Sequence, residues 1–452
     1  MFKKIEIWIL YLVVVLCLLF SLIPAFVVYS KYKYDKQIPL ITSGTLFLLD
    51  IPVKINRIFK KEFTGFESKI QYNSNIKNSI FKSKNNFIGE NLKDQMYLVL
   101  PVYNPPLKQN IIEIIDLTNF NIIKTIIPDW LEINSKIKNT NPYYKKLIKH
   151  SKRSIPNNPI ITSDGGIIFN SGPIVKLNKL NEVEWINDDY FYHHGLNYDG
   201  DSTIWAPSRI YPSSISRNNK NLNFIDEGIT ALSLSGNIIF NKSLYEIFKK
   251  NGLEYKLFTY HGYKEIKNDP FHINDIEPIT NDSNHWKKGD LFLSIRNLSM
   301  NILYRPSNDS IIWFNEGNTK HQHDIDILNQ TSITIFDNNT YFIKNDTIVN
   351  GYNNIKRVNF ETNIIDEYLP GVFKRNSINT PTQGSYTITD KGDILIEETD
   401  NGRILFLNKN GDLIWEKYNY DIKTDVFHVF HWSTLVKDKK LFNTIKSLNS
   451  EK

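Results

Sequence analysis

The sequence predicts an all-β fold, a six-bladed β-propeller preceded by an N-terminal transmembrane helix. From about residue 96 onward, short apolar runs alternate with turn clusters of Asp, Gly and Asn, as in antiparallel strands joined by tight turns. These runs fall into about six similar units at uneven spacing, which is typical of propeller blades. Several runs, such as residues 403–407, are apolar on both strand faces, as expected for sheets covered on both sides. A β-sandwich is the main alternative, but about 20 strands exceed what one sandwich holds.

The units resemble one another in two places. The segments GDSTIWAPS (200–208), GDLFLSIR (289–296) and GDILIEET (392–399) each begin with a turn pair and continue as an apolar strand. The segments NEVEWIN (181–187) and SIIWFN (310–315) share a later strand that carries a tryptophan. No glycine-rich phosphate loop and no alternating βαβ pattern occurs in the sequence. The repeat therefore favours blades over a nucleotide-binding α/β fold.

The N-terminal 30 residues predict a membrane anchor. Ile7 to Ser30 is uncharged and long enough to cross about 30 Å of hydrocarbon as a helix, with Trp8 and Tyr29 near its ends. A cleaved signal peptide is the alternative, but no convincing small-x-small cleavage site follows the run. Because long domains translocate largely regardless of local charge, we expect the body outside the cytoplasm, in the periplasm if the source is bacterial.

The remaining chain divides into three predicted parts. Residues 31–95 form a membrane-proximal segment, residues 96–435 form the propeller, and residues 436–452 form a basic C-terminal tail. Within the propeller, residues 130–154 predict a helical or irregular insert. Ser243 and Glu246 form a capping box that begins a helix, which ends at Gly252.

Charge and cysteine content exclude several classes of function. The net charge of +6 over 452 residues is too small and too diffuse to predict nucleic-acid binding. Cys17 is the only cysteine, and it lies in the apolar N-terminal run. The body therefore contains no disulfide, no cysteine-ligated zinc and no cysteine nucleophile.

Histidine and arginine side chains are concentrated beside the opening strands of the units. In a propeller these strands face the central channel, so residues far apart in the sequence can converge there. The candidates occur in five places: His193 with His194, His272, Arg296, His321 with His323, and His428 with His431. The last pair is predicted to pack the blade that closes the ring.

The segment HQHDID (321–326) permits three interpretations. In an extended strand His321 and His323 would point the same way, with Asp324 and Asp326 on the opposite face. Two histidines on one face could bind a metal if another blade supplied a third ligand. They could also be structural histidines bonded to loop backbone. In the third interpretation they belong to an active site for an anionic group. Arg296 would supply hydrogen-bond donors in a fixed planar geometry, and a histidine would act as nucleophile, acid or base.

Five segments in this order and spacing resemble the PAPS-independent arylsulfotransferase family. They are FHINDIEP (271–278), GDLFLSIRN (289–297), IIWFNEG (311–317), HQHDIDIL (321–328) and ITIFDNN (333–339), and HHGLNYDGD (193–201) looks like an earlier histidine element of the family. The resemblance covers roughly residues 160–420. It implies a six-bladed propeller, often exported, that transfers a sulfonate group from one phenolic ester to another phenol through a sulfohistidine, without a cofactor.

The resemblance also implies a set of site residues. His323 would be the nucleophile, His272 and Arg296 would hold the sulfonate oxygens, and His194 would be an acid/base or a further oxyanion donor. Secondary candidates are His193, His321, Asn274 and Asp324, and the candidates for binding the substrate ring are Tyr192, Trp205 and Phe271.

The expected partners are a small-molecule aryl sulfate donor, a phenolic acceptor and, through the N-terminal helix, a membrane, with no metal and no nucleic acid. The alternatives are a non-catalytic propeller that binds an anionic, sulfated ligand or a protein partner, and a metal-dependent hydrolase built on HQHDID.

Overall fold

A computed structural model describes residues 11, 67–68, 72–148, 154–215, 224–259, 268–343 and 346–448. Nearly all of them belong to one compact unit, Phe66–Lys452. The predicted membrane helix and most of the membrane-proximal segment lie outside the described residues, so the anchor and the location of the body stay predictions. Among the helices of the described part, none is long and apolar enough to span a bilayer.

Short antiparallel strands are the main regular structure of the described residues. The first half contains β1 (Phe87–Gly89), β2 (Tyr97–Asn104), β3 (Gln109–Asp116), β4 (Asn121–Ile126), β5 (Asn157–Ile161), β6 (Ile167–Asn170), β7 (Ile174–Leu177), β8 (Val183–Asn187), β9 (Phe191–Tyr192), β10 (Asn197–Tyr198), β11 (Thr203–Ile210), β12 (Asp226–Ser233), β13 (Ile238–Ser243), β14 (Ile273–Pro278) and β15 (Leu291–Ile295).

The second half contains β16 (Met300–Arg305), β17 (Ser310–Glu316), β18 (Ile325–Asn329), β19 (Ser332–Asp337), β20 (Thr340–Ile343), β21 (Asp346–Val349), β22 (Asn354–Asn359), β23 (Ile364–Tyr368), β24 (Ser385–Ile388), β25 (Ile394–Glu398), β26 (Arg403–Leu407), β27 (Leu413–Tyr418), β28 (Tyr420–Asp421), β29 (Val426–Phe427) and β30 (Thr434–Val436).

The helices are short and lie between or beside the sheets. They are α1 (Ser74–Phe81), α2 (Trp130–Lys136), α3 (Pro142–Ile148), α4 (Leu244–Lys250), α5 (Tyr255–Thr259), α6 (Val372–Arg375) and α7 (Lys439–Ser447). Ser243 caps α4 as predicted, because its hydroxyl accepts the Glu246 N–H. The predicted insert at 130–154 contains α2 and α3. Residues predicted as a basic tail form α7 instead, whose apolar side packs on the core and buries Ile445.

The predicted six-bladed propeller is confirmed, since six sheets of four or five strands succeed one another along the chain. In order from the inner strand, blade 1 is β30-β2-β3-β4, blade 2 is β5-β6-β7-β8 and blade 3 is β10-β11-β12-β13 with β9 also on β11. Blade 4 is β14-β15-β16-β17, blade 5 is β18-β19-β22-β23 and blade 6 is β24-β25-β26-β27 with β1 outside. The hairpin β20–β21 is an insertion in blade 5.

Both ends of the propeller are held by strand exchange between distant parts of the chain. The C-terminal strand β30 pairs with β2, with Val436 opposite Tyr97, and so supplies the inner strand of blade 1. The N-terminal strand β1 pairs with the outer strand of blade 6, with Phe87 opposite Lys417. These two pairings tie the chain ends of the propeller into its sheets and close the ring.

Side chains between neighbouring blades form the hydrophobic core. Strand β15 is buried along its whole length, which explains why its apolar residues lie on both faces. Between blades 1 and 6, for example, Leu98 packs with Phe406 and Trp415, and the last two rings stack at 5.5 Å. The sheets therefore bury both faces, as the sequence pattern predicts.

Buried carboxylates connect consecutive blades near the channel. Each accepts a hydrogen bond from the backbone of the next blade, at distances of 2.7–3.3 Å. These bonds run from Ile273 to Glu227, from Ile325 to Asp275, from Tyr386 to Asp324, and from Trp432 and Ser433 to Glu397. Because a buried polar group is costly unless it is hydrogen-bonded, these contacts explain how acidic residues can lie on or beside the two innermost strands of a blade.

A second repeated feature is a non-glycine residue with left-handed backbone near the start of each inner strand. Such residues are uncommon, and their recurrence once per blade indicates a shared turn of the backbone into the channel. Their φ angles lie between +46° and +56°, and they are Asn158, His194, His272, His321, Gln383 and Trp432. Because the inner strands of a propeller run in the same direction, these six residues lie at the same end of the channel.

Candidate active site

His323 lies at this end of the channel with 2% of its surface exposed. Its Nδ1 is 2.6 Å from Asn338 Oδ1. The Asn338 amide nitrogen donates to the backbone oxygens of Thr380 and Gln383, so the Asn338 oxygen must face the imidazole as an acceptor. His323 therefore carries its proton on Nδ1, and Nε2 keeps its lone pair. This lone pair accepts the Gln383 backbone N–H at 3.0 Å.

The pKa of His323 lies well below its usual range. Burial is the main cause, and the positive charge of Arg296 is the second. The imidazole is therefore neutral at neutral pH. A neutral imidazole with an oriented lone pair is a nucleophile, whereas a protonated one is not.

His194 and His272 form a hydrogen-bonded pair that ends on a carboxylate. Their Nε2 atoms are 2.8 Å apart, and His272 Nδ1 is 2.5 Å from Asp269 Oδ2. The bond to His272 lowers the pKa of Asp269 although burial opposes it, so Asp269 is an ionised acceptor and His272 Nδ1 is the donor. One further proton then lies between the two Nε2 atoms. Burial holds the pKa of His194 well below its usual range, so its ring is neutral at neutral pH.

His193, whose ring centre lies 5.8 Å from that of His272, pairs with a fully buried carboxyl. Its Nε2 is 2.7 Å from Glu227 Oε2. Burial lowers the pKa of His193 to about 3 and raises that of Glu227 to about 8, so the contact is a neutral hydrogen bond near pH 7. The carboxyl proton belongs to Glu227, which donates to the imidazole.

Three rings from alternate blades meet across the channel axis. The ring centre of His194 in blade 3 lies 6.0 Å from that of His323 in blade 5 and 6.2 Å from that of Trp432 in blade 1. The His323 and Trp432 centres are 6.5 Å apart, so the triangle is nearly equilateral. Gly195 allows this approach, because a Cβ at this position would lie 2.8 Å from a Trp432 ring carbon.

Arg296 follows strand β15 of blade 4 and begins a 3₁₀ turn, Arg296–Leu298. Its backbone N–H donates to the His272 carbonyl at 3.0 Å. The guanidinium donates to Asn297 and lies 5.6 Å from the centre of the Phe342 ring. Burial lowers the pKa of Arg296, which nevertheless stays charged at neutral pH. The site thus combines one fixed positive charge with the neutral imidazoles of His194 and His323, a combination that suits an anion.

The structure brings the four predicted catalytic residues into one region of the channel, and their chemical roles stay predictions. The secondary candidates have structural contacts. Asn274 donates to the Gln322 carbonyl at 2.8 Å, which holds the peptide before His323, and Asp324 accepts from the Tyr386 backbone at 2.8 Å. Burial is the main reason that the pKa of Asp324 lies well above its usual range, and the negative charges of Asp326 and Asp275 raise it further.

The predicted common direction of His321 and His323 is wrong. His321 has φ +53°, so the backbone is not extended there. Its Nδ1 lies 3.0 Å from the Thr340 carbonyl, and its ring packs on Phe342 with the centres 4.6 Å apart. His323 faces the other blades instead. Within the described ranges, no three or more His, Cys, Asp or Glu side chains are arranged to hold a metal ion.

The three residues predicted to bind a substrate ring lie in or against hydrophobic cores. Tyr192 and Phe271 are 1% and 0% exposed, and Trp205 packs against the core between blades 3 and 4. Their predicted role is untested and stays a prediction. An exposed aromatic residue does adjoin the site: Phe342, on the inserted hairpin, is 50% exposed and contacts both Arg296 and His321.

Sequence reasoning missed five residues of this region: Asp269, Glu227, Asn338, Gln383 and Trp432. Asp269 had a readable signal, because it precedes His272 by three residues in DPFH. Asn338 lies within the ITIFDNN segment, but nothing in that segment shows which residue its side chain contacts. Glu227, Gln383 and Trp432 belong to blades 3, 6 and 1, and the sequence around them does not show which residues of other blades they approach.

One known protein family matches most of the propeller. The family model described as "Arylsulfotransferase (ASST)" matches residues 155–420, which is more than half of the chain. No curated protein sequence matches the chain. The match spans blades 2 to 6 and contains His194, His272, Arg296 and His323.

Solved structures show weaker similarity. A protein of unknown function from Bacteroides caccae is 11% identical with a TM-score of 0.45, and the alignment covers 76% of this chain and 99% of that one. A streptogramin B lyase is 13% identical with a TM-score of 0.38, covering 78% and 99%. Virginiamycin B lyase from Staphylococcus aureus is 13% identical with a TM-score of 0.33, covering 58% and 70%. Likenesses this weak support no argument about function. With its family match over most of the propeller, this chain belongs to the arylsulfotransferase (ASST) family.

Proposed function

We propose that the protein transfers a sulfonate group from a phenolic sulfate ester to a phenol, with His323 as the covalent carrier and without PAPS. The observation that carries the proposal is the fixed tautomer of His323. Asn338 holds the proton on Nδ1, and burial together with Arg296 keeps the ring neutral, so Nε2 has a lone pair that can attack once it exchanges the Gln383 N–H for the substrate. Family membership supports the same class of reaction.

In the first half-reaction, the Nε2 lone pair of His323 attacks the sulfur of the donor ester. The N–S bond forms as the bond from sulfur to the bridging oxygen breaks, and the phenol leaves. The leaving oxygen takes a proton from the His194–His272 pair when that pair holds one proton more than two neutral imidazoles; the Asp269 carboxylate stabilises this charged state, and the transfer returns both rings to neutral. Sulfonate transfer resembles phosphoryl transfer in needing positioning and charge stabilisation above all, which Arg296 would provide.

In the second half-reaction, the oxygen of an acceptor phenol attacks the same sulfur. The O–S bond forms, the N–S bond breaks, and the electron pair returns to His323 Nε2. The acceptor proton passes to the His194–His272 pair, which restores the starting state. No redox partner or nucleotide is needed, because the donor ester brings the sulfonate group and the acceptor removes it.

The Gln383 backbone N–H donates to Nε2 before the reaction. Once Nε2 is bonded to sulfur its lone pair is used, and the same N–H is then free to donate to a sulfonate oxygen. Interactions that strengthen only as the reaction proceeds are those that accelerate it. Gln383 is held in a left-handed conformation, φ +56°, which fixes this N–H direction.

The exposed ring of Phe342 is the best-placed surface for the aromatic part of the substrate. An aryl sulfate joins its ring to the sulfonate group through a single oxygen, so the ring must lie beside the sulfonate site. Phe342 lies next to Arg296, and half of its surface is exposed. Aromatic pairs add about 0.5–1.5 kcal/mol beyond the area that they bury.

The test uses the full-length chain with 4-nitrophenyl sulfate as donor and phenol as acceptor. Release of 4-nitrophenol is followed together with formation of phenyl sulfate, and the peptide containing His323 is examined by mass spectrometry for one added sulfonate group. We expect H323A to lose both transfer and adduct. H285A is the matched control, since His285 lies outside the channel beside Trp286 and Phe360. Release with no adduct would contradict the covalent step, and binding of sulfate without any release would favour the anion-binding alternative.

A further inference from the structure

The indole N–H of Trp432 has no hydrogen-bond acceptor within the part of the chain that the structure describes. The side chain is almost fully buried, with 4% of the residue exposed. Buried donors are normally paired, because leaving one unpaired is destabilising. An unpaired buried donor inside a channel therefore points to an acceptor that arrives from outside.

The indole ring of Trp432 lies beside the groups that would handle the substrate. Its ring is one corner of the triangle whose other corners are His194 and His323, at 6.2 and 6.5 Å. It also occupies the repeat position that His194 and His272 occupy in their own blades, with the same left-handed backbone. Its backbone is fixed independently, because its N–H donates to Glu397 at 2.8 Å.

Trp415 shows that an unpaired indole N–H alone does not mark a site. Its N–H also lacks an acceptor among the described residues, and the residue is fully buried. However, Trp415 lies in the core between blades 1 and 6, stacked on Phe406 and edge-on to Phe87. No site imidazole adjoins it. What distinguishes Trp432 is its place beside two imidazoles of the site.

We propose that the Trp432 indole N–H donates a hydrogen bond to an oxygen of the sulfonate group during transfer. This inference rests on the proposed function, and it adds a contact that the sequence motifs do not contain. An indole can only donate, and it neither gains nor loses a proton at neutral pH. Trp432 can thus hold an oxygen without competing for the proton shared by His194 and His272. In a buried site such a fixed donor is worth more than in water.

The direct test observes the indole proton itself. The full-length chain is labelled with ¹⁵N-tryptophan, which gives one indole signal for each of its eight tryptophans. Inorganic sulfate and 4-nitrobenzenesulfonate, which has no transferable group, are then titrated. We expect the Trp432 signal to move downfield and saturate while the Trp415 signal stays in place. The W432F variant identifies the signal, and W432Y serves the same purpose if W432F does not fold.

The kinetic test compares W432F with W415F. Both substitutions remove a buried unpaired N–H and keep an aromatic ring, but only the first adjoins the histidines. A hydrogen bond to a charged group corresponds to a roughly 10- to 150-fold loss of kcat/KM for 4-nitrophenyl sulfate in W432F. W415F should stay within about threefold of wild type, as expected for a change away from the site.

The outcomes separate this inference from the proposed function. A saturable indole shift with the expected loss of rate supports both. A shift in a chain that shows no transfer supports the donor role of Trp432 while the proposed function fails. An unmoved indole signal overturns the inference even where W432F is slow, because the loss would then reflect packing. A W432F rate within twofold of wild type overturns it as well.

Discussion

Replacing Asp269 with asparagine would test whether the Asp269–His272–His194 chain handles the proton of the leaving group. The carboxylate oxygen lies 2.5 Å from His272 Nδ1, and the substitution keeps the shape of the side chain while removing its charge. A carboxamide offers Nδ1 either a neutral acceptor or a donor. In neither orientation can it stabilise a second proton on the imidazole as a carboxylate does.

The expected magnitude follows from this single contact. A hydrogen bond that involves a charged group contributes about 1.5–3 kcal/mol, and each 1.36 kcal/mol corresponds to a factor of ten in rate. Losing the charge of Asp269 should therefore lower kcat/KM by roughly 10- to 150-fold for a donor that depends on protonation of its leaving group.

The assay uses two donors that differ in the leaving phenol. The loss in D269N should be largest for phenyl sulfate, whose phenolate is a poor leaving group and needs the proton. It should be much smaller for 4-nitrophenyl sulfate, whose phenolate leaves readily. D425N is the matched control, because Asp425 also accepts a 2.5 Å bond, from Lys77, but contacts none of the site residues.

Equal losses for both donors would refute this reasoning, since a distorted site slows every substrate alike. Retention of phenyl sulfate transfer within threefold would refute it too. The ratio of the two losses is thus the informative quantity, and it is insensitive to the fraction of folded enzyme in each preparation.

Two further predictions concern the substrate ring and the pH dependence of stability. F342A should raise KM for aryl sulfates roughly 2- to 12-fold, because an aromatic contact with the substrate is lost. The control is Y341A, which lies on the other face of the same strand and should leave KM unchanged. Equal effects of the two substitutions would argue against the ring contact. The wild-type protein should lose stability as the pH rises, and E227Q should remove this loss. Urea unfolding at pH 5 and pH 7.5 measures it. Folding raises the pKa of Glu227 from 4.5 to about 8, so between these values the folded chain holds a proton that the unfolded chain has lost. The wild-type free energy of unfolding should therefore fall relative to E227Q by about 1.4 kcal/mol per pH unit as the pH rises. The control is E361Q at an exposed position, and a pH-independent difference would contradict the assignment.

Much of the fold could be predicted because its causes are local. Residues 403–407 were predicted to be a strand buried on both faces because apolar residues occupy consecutive positions. Ser243 read as a helix cap because its hydroxyl needs only the nearby Glu246 N–H. The helix at 439–447 was not predicted, because its lysines suggested a solvated tail. Its apolar residues, however, fall on one side of a helix and pack on the core.

The candidate site was predictable in its members but not in its arrangement. Motif order pointed to His194, His272, Arg296 and His323, which lie together in the structure. The expectation for His321 failed because an extended strand was assumed, whereas His321 adopts a left-handed conformation. Local sequence does not show such a turn when the residue is not glycine.

By itself, the sequence determined the class of fold, the family resemblance and the residue types available for chemistry. Only the tertiary structure decided which groups meet. Closing the ring brings blades 1, 3 and 5 together at the axis, so that Trp432 joins His194 and His323 although more than 100 residues separate it from either. It also decided the tautomer of His323, because the orientation of Asn338 depends on two carbonyls from the next blade. Burial and hydrogen-bond partners set the protonation of a side chain, and both arise only when distant segments pack.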